Sequence, residues 1–231
     1  MATSDGLLRM ILFDSVKNIG FTDFFQKKGF KADTVASYQC GFLPDGLAPF
    51  SKEIGDNEAL LSCYKYVIPN FDLNGNLVYL LIKSDKTVIH ENVPFEIDPT
   101  YFLGDFYGKL WNEKVLFENH PVIFVAENWS DALSLIECDC DAISLNRVAN
   151  VAELWKILLK YKKSRDHFFV AACDNDYYGQ KSNSNLIRIF SSVNCKILEL
   201  SEFPNGVKDC NEWLCYDRFS FEEALIRIKD V

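Results

Sequence analysis

VIFVAENWSDALSL, residues Val122–Leu135, decides how the rest of the chain is read. An apolar run leads straight into Glu127, and Asp131 follows as a helical pattern opens. A short apolar run bounded in this way reads as a buried strand passing into a helix. A carboxylate at the lip of such a strand is costly, because an ionised group loses its hydration there. An acid in the first helical turn would account for Asp131. It does not account for Glu127, which stands where the strand should still be packed. Its presence makes sense only if other groups reach the same edge.

Working outward, the pattern repeats. DAISL (141–145), HFFVAAC (167–173) and CKILEL (195–200) read as further strands. The helical stretches WSDALSLIEC, NVAELWKILLKYKKS and GQKSNSNLIRIFSSV lie between them. Short helices are expected around Cys210–Cys215 and over Phe221–Ile228. Strands alternating with helices across short connections imply a parallel α/β sheet. In such sheets, sites form at the carboxyl ends of the strands. Glu127 follows the first strand, and DNDYYG, with Asp174, Asp176 and Gly179, follows HFFVAAC. SEFPNGVKDCNEWL, with Lys208, Asp209, Asn211 and Glu212, follows CKILEL. Acids converging from separate strands repel one another unless a cation sits among them. Hard divalent cations take carboxylate oxygens, and Mg²⁺ bridges onward to phosphate. Asp174 and Asp176, two residues apart just past a strand end, point the same way if the extended pattern persists.

This constellation resembles the TOPRIM domain of bacterial primases, of type IA and II topoisomerases and of several small nucleases, over about residues 119–217. The matching motifs are strand–Glu127–x4–Asp131–Ala–Leu, strand–Asp174-x-Asp176-x-x-Gly179, and Gly206-x-Lys208-Asp209-x-Asn211-Glu212. The form KDCNEWL is most similar to the primase branch, phage primase–helicases included. The N-terminal half resembles that branch too, through FFQKKGFKADTVASYQCGFLPDG and YVIPNFDLNGNLVYLLIKSD. The sequence departs from the family at Asn128, where a glycine is usual, and at Asn211, where many primases carry a second aspartate. Lys83 stands where an arginine is expected.

The resemblance implies an α/β fold: a TOPRIM domain of about four parallel strands flanked by helices, residues 119–231, preceded by a smaller α+β primase-like subdomain, residues 1–118. It implies a nucleotidyltransferase making short RNA on single-stranded DNA. Glu127, Asp174, Asp176 and Asp209 would be the catalytic and metal-binding residues, with Mg²⁺ or Mn²⁺ as cofactor. Lys83 and Lys208 would contact nucleotide or nucleic acid. A replicative helicase or a zinc-module protein would be a partner, and a phage or mobile-element origin would suit a primase stripped of those parts. With water as nucleophile the same acids would make a nuclease. A chain that had lost its metal would be an interaction module.

Locally, Lys27 and Lys28 read as a solvated helix end, and Lys65, Lys86 and Lys109 are the other basic candidates of the N-terminal half. Asp33 or Thr34 suits the cap of a short helix. DLNG (72–75) suits a hairpin turn between two strands. Residues 84–118, punctuated by Pro94, Pro99 and Gly104, read as irregular. His90, His120 and His167 show no catalytic spacing. Trp129 and Trp213 read as packing residues, and Tyr177 and Tyr178 as surface neighbours of the acids.

Composition agrees with a globular protein: 231 residues with 48% hydrophobic and 14% aromatic content can build a core. The net charge of −9 counts against tight nonspecific binding of nucleic acid. The eight cysteines show no CxxC or zinc-ribbon spacing, which suits reduced thiols in a cytosolic protein. No apolar run reaches the ~20 residues of a membrane helix, and no signal-peptide pattern opens the chain. A cytoplasmic location is the expectation.

Overall fold

The structure is a computed structural model that describes residues 4–85, 98–161 and 167–230. Lys86, His90 and Pro94 lie outside the described residues. The chain divides into two compact units, residues 1–26 with 31–107, and residues 27–30 with 108–231.

The first unit is built on helix α1 (Asp5–Lys17). Ser4 caps it, its hydroxyl accepting from Leu7 N at 3.3 Å, with Asp5 in the first turn and Lys17 in the last. Leu7, Leu8, Ile11 and Leu12 form its buried stripe. NIGFTDFFQKKGF, although its apolar residues fall at helical spacing, does not form one continuous helix. A 3₁₀ turn at Ile19–Phe21 precedes α2 (Phe24–Lys27), where the Thr22 hydroxyl accepts from Phe24 N and interrupts the helical run. Helix α3 (Ala32–Ser37) is entered from Lys31 with no side-chain cap. Asp33 lies inside its first turn, so it can serve the helix dipole but not cap it.

Strands β1 (Gly41–Phe42), β2 (Tyr64–Phe71), β3 (Leu77–Ser84) and β4 (Thr100–Gly104) form an antiparallel sheet in sequence order. Helices α4 (Ser51–Ile54) and α5 (Glu58–Leu61) lie between β1 and β2. The β2–β3 hairpin turns as expected. Asp72 Oδ1 accepts from Asn74 N and Asn76 N, and Gly75 takes a φ of 77° that favours glycine. Strand β4 corrects the irregular reading of residues 84–118, because five residues of that stretch, 100–104, pair with β3. Gly41 lets α1 approach the sheet, since a Cβ there would lie 2.2 Å from Ser15 Oγ. The core joins the α1 stripe to Leu47, Leu61, Val67, Leu80 and Ile82.

The second unit holds the parallel sheet. Strands β5 (Val122–Ala126), β6 (Asp141–Ser144), β7 (Phe168–Ala172) and β8 (Lys196–Glu199) lie in the order β6-β5-β7-β8. Helices α6 (Trp129–Glu137), α7 (Val151–Lys160) and α8 (Tyr177–Ser192) follow β5, β6 and β7 in turn. Helices α9 (Cys210–Tyr216) and α10 (Arg218–Lys229) close the chain. Ile123–Ala126 and Phe169–Ala171 are fully buried, as strands covered on both faces must be. The register sets Ala126 level with Ser144 on one side and Ala172 on the other. The outer edge of β6 is closed by a bridge between Trp111 and Ser144. At the amino end, the His167 ring meets His120 O at 2.6 Å and Leu116 O at 3.2 Å, while the His120 ring lies between Glu118 and Asp141. These histidines stand at the opposite end of the sheet from the acids. All eight cysteines are thiols, with only Cys215 exposed.

Candidate active site

The strand order locates the site before any side chain is considered. From β5 the chain first moves to β6 on one side, then crosses to β7 and β8 on the other. Ligands in open α/β sheets bind beyond the carboxyl ends of the strands where the order reverses. Here that is the gap between β5 and β7. Glu127 is the first residue past β5, and Asp174 the second past β7.

Both carboxylates carry an orphaned oxygen. Glu127 Oε2 and Asp174 Oδ1 are buried and meet no hydrogen-bond donor among the described residues. Burial pushes the Glu127 carboxyl above its usual range, and the negative charges of Asp174 and Asp176 push it further. Burial likewise raises Asp174, against the lowering effect of Lys208. Lys208 Nζ lies 3.1 Å from Asp174 Oδ2 and 3.7 Å from Asp176 Oδ2. Its ammonium is held above the usual lysine range, first by the hydrogen bond to Asp174.

Asp176 has two roles in its geometry. Its Oδ1 accepts from Tyr178 N and Gly179 N, both at 2.9 Å, and so caps α8. Those donors, the Gly179 N–H first, hold its carboxyl below the usual range. Its other oxygen faces Lys208. Asp209 caps α9 in the same way, with Oδ1 accepting from Glu212 N at 2.7 Å. Lys208 N donates to Glu212 Oε2 at 2.8 Å, which completes a reciprocal capping arrangement at the helix start.

Asp131 is fully buried behind this edge, and burial followed by the Asp209 charge raises its carboxyl well above the usual range. Its Oδ1 accepts from Asn211 N at 3.0 Å, and its Oδ2 from Asn128 Nδ2. Asn128 is the α6 cap, its Oδ1 accepting from Ser130 N and Asp131 N. The departure from the family's glycine therefore supplies the helix start and a donor to Asp131.

Asn175, Asn211 and Ser134, none of which the sequence marks for a supporting role, hold this arrangement together. Asn175 donates its side-chain amide to Val207 O at 3.1 Å and its backbone N–H to Lys208 O, tying the two acidic loops. Asn211 donates Nδ2 to Ser134 Oγ and to Lys28 O, and its Oδ1 accepts from Lys28 Nζ at 3.1 Å. Lys28, read as solvated, thus belongs to the second unit, where it also lies 5.9 Å above the Trp129 ring. The only sequence signal was asparagine between or beside paired acids. Trp129 and Trp213 are buried and Tyr177 and Tyr178 exposed, in keeping with their sequence readings. Lys83 lies on β3 in the first unit, with Nζ donating to Thr100 Oγ1 at 2.7 Å.

Among the described residues, no three carboxylate, imidazole or thiol groups converge closely enough to enclose an ion by themselves. Mg²⁺ does not require such a cage, because it retains waters and is held by one or two carboxylates with substrate phosphates. Two orphaned carboxylate oxygens beside a lysine-neutralised aspartate fit that mode of binding.

Gly179 fixes the geometry of the Asp174 loop. A Cβ there would lie 1.9 Å from Asp174 O, so the loop must shift to admit one. Gly179→Ala should destabilise the protein by about 1–3 kcal/mol despite alanine's better helix propensity. Chemical denaturation measures this directly.

The raised carboxyls also set a pH dependence. Because the folded-state values of Glu127, Asp174 and Asp131 lie above their unfolded ones, their protonation favours the fold. In chelator, the thermal midpoint should fall as pH rises from about 4, the ordinary carboxylate value, through the raised values. Asp176, shifted the other way, withdraws its contribution only on further acidification. Glu127→Gln should flatten the decline and raise the midpoint at neutral pH, by about 2–4 °C per kcal/mol relieved.

Residues 124–214 match the Toprim-like family model, so the chain carries a Toprim-like domain. Its fold is that of a primase catalytic core. It superposes on the zinc-binding and RNA polymerase domains of Aquifex aeolicus primase with a TM-score of 0.71 at 16% identity, covering 96% of this chain and 59% of that one. The primase fragment of the bacteriophage T7 primase-helicase protein gives 0.61 at 15% identity, covering 87% of this chain and 72% of that one. A DnaG primase catalytic domain bound to ssDNA gives 0.66 at 14% identity, covering 96% and 78%. At these identities the likeness is one of fold. No curated protein matches the chain.

Proposed function

We propose that this chain is a metal-dependent, primase-type nucleotidyltransferase that joins ribonucleotides on single-stranded DNA. The observation that carries the reading is the pair of orphaned carboxylate oxygens, Glu127 Oε2 and Asp174 Oδ1, at the sheet's switch point. The primase-core fold supports it.

Asp174, Asp176 and Asp209 would hold Mg²⁺ or Mn²⁺, and Glu127 would complete the site as ligand or proton-transfer group. The bound ion would supply charge neutralisation for the phosphates and acidify the attacking hydroxyl. In the reaction, a 3′ oxygen bonds to the α-phosphorus of the incoming ribonucleotide and pyrophosphate leaves. Glu127, with its raised carboxyl, is suited to accept the hydroxyl proton. Lys208 neutralises Asp174 and Asp176 in the resting site and would turn to phosphate when nucleotide binds. Asn175 and Asn211 keep the loops in place. Lys83 is proposed as a further contact to nucleic acid. A helicase or zinc-binding module acting with the chain belongs to the same proposal, since neighbours of this fold include a zinc-binding domain and a primase-helicase.

The test is extension. Protein, single-stranded DNA and four ribonucleotides, one labelled, are incubated with Mg²⁺ or Mn²⁺. Short labelled RNA is the expected product. Shortened DNA would assign the site to a nuclease. No reaction, together with no metal binding, would leave an interaction module.

A further inference from the structure

A second cavity shares a wall with the acids and has no part in the mechanism above. It lies on the β8 side of Asp174 and measures about 270 Å³. Asp174 bounds it on one side, Gln180, Asn183 and Ser184 of α8 on another, and Glu199 and Phe203 on the third. Its size falls below the range of pockets that enclose drug-sized ligands, which suits a single heterocyclic base.

One polar group of this cavity, Asn183, is fixed by its partners. Asn183 is buried, with 2% of its surface exposed. Its Oδ1 accepts from Cys173 N at 3.1 Å, which assigns the amide orientation and makes Nδ2 the donor to Glu199 Oε1 at 3.0 Å. Glu199 is therefore oriented from below and offers its remaining acceptor sites to the cavity. The Phe203 ring, 5.3 Å from that of Trp213, closes the side with an aromatic wall held in place from behind. A carboxylate accepts and never donates, and its two oxygens match two adjacent N–H donors. Among the four bases, only guanine presents two neighbouring N–H donors, N1–H and the 2-amino group, on one edge.

The geometry points to a guanine-recognition subsite in this cavity, with Glu199 as the specificity-determining residue. The inference deepens the nucleotidyltransferase reading and rests on its nucleotide site. A nucleotide whose phosphates meet Asp174, Asp176 and Lys208 would place its base past the shared Asp174 wall.

Equilibrium binding of GTP, ATP, CTP and UTP, each with Mg²⁺, to the full chain and to Glu199→Gln tests it, read by calorimetry. Glu199 is exposed and the replacement is isosteric, and a melting curve verifies that the variant is folded. GTP should bind at least about fivefold more tightly than the others. The preference should vanish in Glu199→Gln, with the GTP affinity falling to that of the other nucleotides. Equal binding of all four by the unaltered chain overturns the subsite and leaves the nucleotide site standing. A preference that survives Glu199→Gln, or no nucleotide binding at all, also overturns it. A Glu199-dependent preference in a protein that makes no RNA upholds the subsite and removes the polymerase reading.

Discussion

Asp174→Asn should lower ribonucleotide incorporation by at least about 100-fold, more than the 10–100-fold that loss of a metal ligand's outer partners costs. The expectation follows from where Asp174 stands. Among the described residues, Asp174 alone of these acids combines an orphaned buried oxygen with an ion pair, meeting Lys208 at 3.1 Å. Asparagine keeps the shape and removes the charge, so the loop should remain folded. Asp176→Asn isolates the charge in the same way at a capping position, because asparagine caps a helix as well as aspartate does. If both variants melt no lower than the parent while incorporation collapses, the loss belongs to chemistry. Equal incorporation by parent and Asp174→Asn would remove Asp174 from the site.

Arg218→Ala should lower stability by about 3 kcal/mol, at the lower end of the range for breaking a buried ion pair. Glu137 has no exposed side-chain surface, and Arg218 Nη1 lies 3.2 Å from its carboxylate. The same guanidinium donates through Nη2 to Gly29 O, fastening residues 27–30 to α10. Truncation leaves a carboxylate in the core without its guanidinium partner and releases the Gly29 carbonyl. Arg218 is partly exposed, which admits water and keeps the loss to the lower end of the range. For a chain of this length the melting point should drop by about 6–12 °C. Adding Glu137→Gln should restore a large part of that loss, since a neutral amide needs no cation. A drop below about 1 kcal/mol, or no recovery in the double variant, would show the pair to be dispensable.

The parallel sheet was legible because burial on both faces leaves its strands as unbroken apolar runs, IFVA and FVAA being the clearest. The acids were legible for the opposite reason: Glu127 and Asp174 violate the expectation of an apolar strand end. Strand β4 was hidden because its five residues lie just after Pro99 and end on Gly104, and its partner β3 lies across a long connection. The break before Phe24 was hidden in a single hydroxyl, that of Thr22. The supporting residues were hidden in a different way. Asn175, Asn211 and Ser134 act through contacts between distant segments, such as Asn211 to Lys28, and no local spacing encodes those. Asp176 and Asp209 show why cap and ligand readings compete in sequence. Each caps a helix through Oδ1, and at Asp176 the other oxygen faces the site.

The most direct measurement is a calorimetric titration of the chelator-treated protein with Mn²⁺, beside an Asp174→Asn/Asp176→Asn double variant. The account predicts saturable binding by the parent and its loss in the double variant, with both proteins folded. A parent that binds no Mn²⁺, or a double variant that binds it equally well, would contradict the assignment of these carboxylates to a metal-dependent site.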